Sequence, residues 1–459
     1  MKKIYILSSI LFFISIISLN AQNNKTNIWY FGSYAGLDFN SGAPLVLSNS
    51  AMSANEGVST ICDATGSLLF YTNGLQVYNK IHSQMPNGSG LFGGASSTQS
   101  ALIVPVPGST TLYYIFTVPE ASGSNGFCYS QVDMMLNGGN GDVINKNTVV
   151  NNSITVTEKL AGTMHANGLD VWVCIHENLT DAYYAYLVTA TGINAPVITN
   201  IGSLGGSVGY MKFSPDGNKL AITMHNDFMD LLDFDNTTGI FSNAATFTAP
   251  AGFNSYGVEF SPGSTKLYLS GEVGAGSNLY QFDLNAGSNA AAIATADSVF
   301  AYTTWGHAIQ LAPDGKIYIN HYQTNLMSVI NFPELPGIAC NAVANFLNLG
   351  SGGCSIGLPN FISSYLALST GINENNDAGN QITIAPNPFS ETAAFMIPAE
   401  FLKHNCSLNV FEVTGRKVFH SEIVNPEFRF SRRELGNGIY FYQVSSKEKI
   451  VGSGKMLIE

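Results

Sequence analysis

The sequence has 459 residues, of which 45% are hydrophobic, 11% aromatic and only 11% charged. That aromatic content excludes a disordered chain, which would be poor in aromatics and rich in charge. With 19 Lys and Arg against 31 Asp and Glu, the net charge of −12 leaves no basic face for sequence-independent nucleic-acid binding, and no nucleic-acid partner is expected.

The chain opens with Lys2 and Lys3, an apolar run over 4–19, and a small residue, Ala21. A membrane-spanning helix needs about 20 apolar residues, so residues 1–21 read as a secretory signal peptide rather than an anchor. No later stretch is long and apolar enough to span a bilayer, so an exported chain without a transmembrane anchor is expected. The first Cys after the signal is Cys62, too far away for lipoprotein processing.

Short apolar runs follow at 28–31, 35–39 and 44–47. A strand–turn–strand unit then recurs. It is plainest in Tyr210-Met-Lys-Phe-Ser-Pro-Asp-Gly217, Gly257-Val-Glu-Phe-Ser-Pro-Gly263 and Ala308-Ile-Gln-Leu-Ala-Pro-Asp-Gly315. Pro fixes φ where the turn begins, and Asp and Gly tolerate the conformations that follow. The turn glycines Gly66, Gly108, Gly168, Gly217, Gly263 and Gly315 lie 42, 60, 49, 46 and 52 residues apart. A period near 50 with little helical pattern is that of a β-propeller blade. A double sandwich of this length would not predict such even spacing. Residues 357–362 supply one strand and 28–47 three more for a seventh blade, closed by both ends of the domain. The expected fold over 22–368 is therefore a seven-bladed β-propeller.

The six cysteines include no CxxC pair, so neither a structural zinc nor a thioredoxin-type site is expected. Cys340 and Cys354 are close enough in sequence to form a disulfide in an exported protein, whereas the others read as buried thiols. Residues 369–380 lack apolar periodicity and form a linker. Residues 381–459 hold nine Lys and Arg against eight Asp and Glu. Residues 23–380 hold eight against 23, a net of −15, and the asymmetry marks a domain boundary. Seven short strands in the last 79 residues suggest a small Ig-like β-sandwich.

Four stretches carry a family resemblance: Ala385-Pro-Asn-Pro-Phe389, Val413-Thr-Gly-Arg-Lys-Val418, Leu435-Gly-Asn-Gly-Ile-Tyr-Phe-Tyr442 and Gly454-Lys-Met-Leu-Ile458. Residues 381–459 resemble the type A C-terminal sorting domain of the type IX secretion system of Bacteroidetes. The matching positions are Pro386, Asn387, Pro388, Gly415, Gly438, Tyr440 and Lys455. The resemblance implies export across the outer membrane, with the type IX secretion machinery as partner and the cell surface or medium as destination. Residues 27–366 are similar to propeller proteins commonly found with such domains, through Asn27-Ile-Trp-Tyr-Phe-Gly32, Phe70-Tyr-Thr-Asn-Gly74, Met85-Pro-Asn-Gly88, Ser97-Thr-Gln-Ser100, His165-Ala-Asn-Gly168 and Gly357-Leu-Pro-Asn-Phe361. This second likeness implies a fold and a location but no reaction.

Linear motifs for chemistry are scarce. No two of the eight His stand at metal-ligand spacing on one element. Residues 233–239 lack the later ligands of a calcium loop, and 137–142 do not lead from a strand into a helix as a phosphate loop would. No cofactor, metal or catalytic residue is expected. The favoured function is a secreted or surface binding and adhesion module whose partner is a glycan or a cell-surface protein. The alternative is a lactonase- or lyase-like propeller enzyme with an axial site. Counting back from the turn glycines to the start of each inner strand gives a ring of Glu56, Gln99, Tyr210, Tyr256 and His307 around the channel mouth. Such a ring suits a neutral polar ligand. It would equally serve as a channel plug.

Overall fold

The computed structural model describes residues 24–121, 123–225, 228–367, 382–398, 401–403, 406–412, 416–433, 435–446 and 449–459. The signal segment 1–21 and the linker 369–380 lie outside these residues. The chain divides between Leu368 and Ser369, with Gln22–Leu368 as one compact unit.

That unit is a ring of seven antiparallel sheets. In chain order after the first, they cover 59–89, 101–151, 156–200, 211–248, 253–302 and 306–348, here blades one to six. Each has four strands in simple succession, except blade three, which gains a short fifth. Blade seven is the three-stranded sheet of Ile28–Phe31, Ala35–Asp38 and Leu45–Leu47. Inner strands such as Met211–Phe213 are wholly buried, whereas the outermost strand of the same blade, Ile240–Thr248, alternates towards solvent. A single sequence thus writes an uninterrupted apolar run at the hub and a period of two at the rim.

Turn chemistry sets the register between the first two strands. Asp63 Oδ1 accepts from Thr65 N at 2.8 Å and Ser67 N at 3.0 Å, and Gly66 takes φ +88°. Ser214 Oγ accepts from Lys219 N at 2.9 Å, with Gly217 at φ +73°. In the Ser-Pro-Gly-Ser copy the left-handed residue is Ser264 rather than Gly263.

Closure differs from the sequence reading in one respect. Residues 357–362 do not form a fourth strand of blade seven. Among the described residues, this closing stretch pairs with that blade where Ser33 and Gly353 exchange hydrogen bonds, both at 2.9 Å. It then crosses the hub, bridging in parallel from Pro359 to Val58 and from Ile362 to Gly162. Pro359 has no N–H with which to continue a ladder. The amide side chain of Asn360 takes over instead, donating to Leu160 O at 2.7 Å and Ala101 O at 3.3 Å. The seam is apolar and aromatic. Trp29, fully buried, has ring centroids 5.0 Å from Phe39, 6.1 Å from Tyr318 and 6.0 Å from Phe361. Burying one such side chain contributes roughly 4–6 kcal/mol at about 25 cal/mol per Å².

The expected Cys340–Cys354 disulfide is not made, and both residues are free, buried thiols. Phe332 N donates to Cys340 O at one end of the strand Leu326–Ile330, while Cys354 Sγ donates to Leu326 O at the other. About 20 Å of extended backbone separates them at roughly 3.4 Å per residue. Burial pushes the Cys354 thiol up to about 11.

The second unit is a small sandwich. Thr383–Ala385, Thr392–Met396 and Glu427–Ser431 form one sheet. Lys417–Ile423, Cys406–Glu412, Gly438–Ser446 and Lys449–Ile458 form the other. Phe395, Leu408, Val410, Val444 and Met456 are fully buried between them.

Candidate functional site: the propeller hub and the sorting corner

Inner strands end at the hub, so residues at equivalent positions in different blades meet there. Of the sequence-derived ring, Glu56, Tyr210 and Tyr256 come together, although Tyr256 lies within Phe253–Phe260 rather than at its start. Glu56 Oε2 lies 3.5 Å from Tyr256 Oη, and the Tyr256 and Tyr210 rings stand edge to face at 5.5 Å. Tyr210 Oη accepts from Leu358 N at 3.4 Å. Gln99 joins three segments, with its Nε2 donating to Met211 O at 3.0 Å and Asn360 Oδ1 at 3.4 Å, and its Oε1 accepting from Met211 N at 2.8 Å. His307 lies on Gly306–Leu311, but its side chain falls outside the described residues. Gln99 reaches the other three through Met211 and the crossing segment, and all four described side chains are buried, Glu56 being the most exposed at 7%. The crossing segment 353–362 occupies the space that an open channel would leave.

A second polar layer lies among the inner strands, and the sequence reading missed it. Lys212 Nζ is 3.5 Å from Glu259 Oε2 and donates to Gln310 Oε1. Glu259 also accepts from Leu311 N at 3.1 Å and Phe260 N at 2.9 Å. Burial raises the Glu259 carboxyl and lowers the Lys212 amine, while each charge favours the other. A signal for this layer was available. Lys212, Glu259 and Gln310 occupy the same place in the three plainest repeats, two residues before Ser or Ala and Pro. A charged or amide residue there, in an otherwise apolar strand, needs partners from its counterparts.

At the mouth, Ser96 Oγ donates to Glu56 Oε1 at 2.8 Å and Ser96 N to Glu120 Oε2 at 2.6 Å. Glu158 accepts from Thr98 N at 3.0 Å, Thr98 Oγ1 at 2.9 Å and Ala121 N at 2.8 Å. His225 presents its ring to Tyr256 at 5.9 Å, edge to face, and burial lowers its pKa. Desolvation, with Glu158 and Glu120 nearby, lifts the Glu56 carboxyl to about 7. Such a group changes protonation at neutral pH and can donate or accept a hydrogen bond accordingly. Among the described residues no group of three His, Cys, Asp or Glu is placed to hold a metal ion.

In the sandwich, Pro386 and Pro388 both follow cis peptide bonds, and Asn387 between them faces the last strand. Its Nδ2 donates to Lys455 O at 2.9 Å, and its Oδ1 accepts from Leu457 N at 2.8 Å. Phe389 N donates to Leu457 O and Glu459 N to Phe389 O, both at 3.0 Å. The Pro-Asn-Pro corner therefore clamps the C-terminal strand by side chain and backbone together. Gly438 has φ +153°, and Tyr440 Oη donates to Gly436 O at 3.0 Å. Any Cβ at Gly454 would meet the Tyr442 ring at 2.6–2.8 Å, which explains the glycine. The Lys455 side chain is exposed, and Gly415 lies outside the described residues.

A seven-bladed ring joined to a sandwich whose last strand is held by this corner defines a β-propeller protein with a C-terminal sorting domain. Residues 383–459 match the family described as the secretion system C-terminal sorting domain. The chain is a type IX secretion cargo, exported to the cell surface or the extracellular space. No helix among the described residues is long and apolar enough to cross a membrane.

No curated protein matches the sequence. A structure from Bacteroides fragilis, provisionally assigned as a 6-phosphogluconolactonase, is 12% identical, with 73% of this chain and 97% of that one covered and a TM-score of 0.47. PorZ, a surface component of the type-IX secretion system of Porphyromonas gingivalis, is also 12% identical. That alignment covers 95% of this chain and 59% of PorZ, with a TM-score of 0.38. Virginiamycin B lyase of Staphylococcus aureus is 11% identical over 69% of this chain and 94% of its own, again at 0.38. No activity is carried over from similarities of this size.

Proposed function

We propose that the propeller is a binding and adhesion module, delivered to the cell surface or released beyond it, whose partner contacts the end of the ring around the hub. One observation supports this above others: the hub is filled by the chain's own segment 353–362. The ring therefore offers an outside partner fixed groups on an end face, where loops held by a rigid scaffold carry recognition. Glu56, Gln99, Tyr210 and Tyr256 act in this reading as the floor beneath the contact surface. Residues 1–21 serve as the signal for inner-membrane export, and a glycan or cell-surface protein is the partner. The test is saturable binding of the fluorescently labelled chain from residue 22 onward to intact cells, with denatured protein as control. Absence of saturable binding to any bacterial or host cell tested refutes the reading.

One observation favours an enzyme as a second reading. Glu56, lifted to about 7 and hydrogen-bonded by Ser96, has the protonation behaviour of an acid–base group. Lactone or glycoside turnover that Glu56→Gln abolishes would establish it.

A further inference from the structure

The place where the two ends of the propeller meet forms a groove of about 600 Å³. This is within the range of ordinary small-molecule sites, roughly 300–1,000 Å³. Its walls come from parts of the chain that are far apart in sequence: Ser33 at the end of the first strand of blade seven, Asn55 just before blade one, residues 322–325 in blade six, and the closing segment 350–355.

The walls are preorganised by backbone contacts. Cys354 N donates to Thr324 O at 2.6 Å, Leu349 N to Asn325 O at 2.8 Å, and Ser33 exchanges its two bonds with Gly353. The Asn325 amide ties the rim together, donating to Asn348 Oδ1 and Gly350 O, both at 3.1 Å. Gln323 is held at φ +57°, a conformation costly for a residue with a side chain.

The lining is chemically one-sided. None of its twelve residues is charged, although the propeller region carries a net of −15. Amides, hydroxyls, glycine backbone and the Tyr322 ring make up most of it. Gln323, Ser33 and Ser351 are exposed, and their side chains make no hydrogen bond to the described residues. An amide offers two donors and an acceptor with two lone pairs, and a hydroxyl offers both roles. Such groups match a ligand that is dense in hydroxyls and uncharged. A phosphate or carboxylate ligand would find no cation here and would approach against the acidic field of the domain. A cationic ligand would find no carboxylate. A tyrosine ring beside the amides suits the apolar face of a pyranose.

We infer that this closure groove is a carbohydrate-binding site for a neutral oligosaccharide, with Gln323, Asn325 and Ser351 hydrogen-bonding to sugar hydroxyls beside Tyr322. The assignment rests on the binding reading above and names the ligand class for it. It also moves the contact from the Glu56 mouth to the neighbouring seam.

The test uses the chain from residue 22 onward and a panel of cellotriose, chitotriose, mannotriose and maltotriose, read by saturation-transfer NMR and calorimetry. At least one of the four is expected to bind. Gln323→Ala and Ser351→Ala should each weaken that binding about tenfold, the loss expected for one or two hydrogen bonds in a formed site, with the melting temperature unchanged. Ile198→Ala, an exposed position on the strand Val197–Asn200 of blade three, should leave it unaltered. No binding by any of the four at millimolar concentration overturns the inference, as does binding that the groove variants leave intact or that Ile198→Ala removes. Cell binding that persists without oligosaccharide binding overturns the groove and leaves the adhesion reading standing, whereas oligosaccharide binding without cell binding does the reverse.

Discussion

Replacing Asn360 with Ala tests whether the crossing segment locks the ring. Asn360 is 1% exposed, and its side chain serves carbonyls in two blades, Leu160 O at 2.7 Å and Ala101 O at 3.3 Å. Its own Oδ1 receives Gln99. Truncation leaves two buried acceptors without a donor in a space that water does not easily reach. Each orphan costs about 1–3 kcal/mol, less for the longer contact, so the expected loss is about 2–4 kcal/mol. Asn360→Asp should be worse at pH 8 than at pH 5, because a carboxylate would face two carbonyls. Denaturant unfolding of the chain from residue 22 onward, followed by tryptophan fluorescence, suits the question, since Trp29 packs against Phe361 one residue away. Ser351→Ala, at an exposed position just before that segment, is the control. An Asn360→Ala protein within about 0.5 kcal/mol of the parent, the range of ordinary surface changes, would refute the lock.

Three further expectations can be checked. Lys212→Met strands the buried Glu259 and should destabilise the propeller by about 3–5 kcal/mol, whereas adding Glu259→Leu should recover much of the loss; an unchanged unfolding midpoint for Lys212→Met would contradict the layer. The Glu56 carboxyl is raised in the folded state, so its contribution is complete below its unfolded value near 4.5 and is lost as pH rises through about 7; Glu56→Gln should flatten stability between pH 5 and 8, and a parallel pH profile would count against it. Removing residues 381–459 should leave a folded propeller inside the outer membrane, and normal surface or medium levels of the truncated chain, measured by immunoblot of cell fractions, would overturn the export role.

The blades were legible because their turns are written locally: Pro, Asp and Gly at fixed offsets, with apolar strands on either side. Counting back from those turns reached Glu56, Gln99, Tyr210 and Tyr256 at unequal offsets of ten, nine, seven and seven residues, and Tyr256 lies within Phe253–Phe260 rather than at its start. Their lack of access to solvent was not legible. It depends on Leu358 and Asn360, which reach Tyr210 and Gln99 across 148 and 261 positions through contacts no local pattern encodes. The segment 357–362 read as a strand, but Pro359 and Asn360 turn it into a crossing strap. The Lys212–Glu259–Gln310 layer could have been read from the aligned repeats, had the polar position been compared across them. The closure groove could not, because its walls come from both ends of the domain.

The strap also fixes an order of events. Asn360 O accepts from Ser59 Oγ across 301 positions, and its side chain reaches Leu160 across 200. Contacts this distant carry a large loop-closure cost, and they cannot form while the last blade is still being delivered. A chain threaded from its N-terminus therefore exists as an open arc of sheets with a vacant hub until nearly the whole domain has emerged. Only then can residues 353–362 pass through the centre and draw the first blade to the last. The ring is sealed late and from its own tail, immediately before the stretch that leads to the export signal.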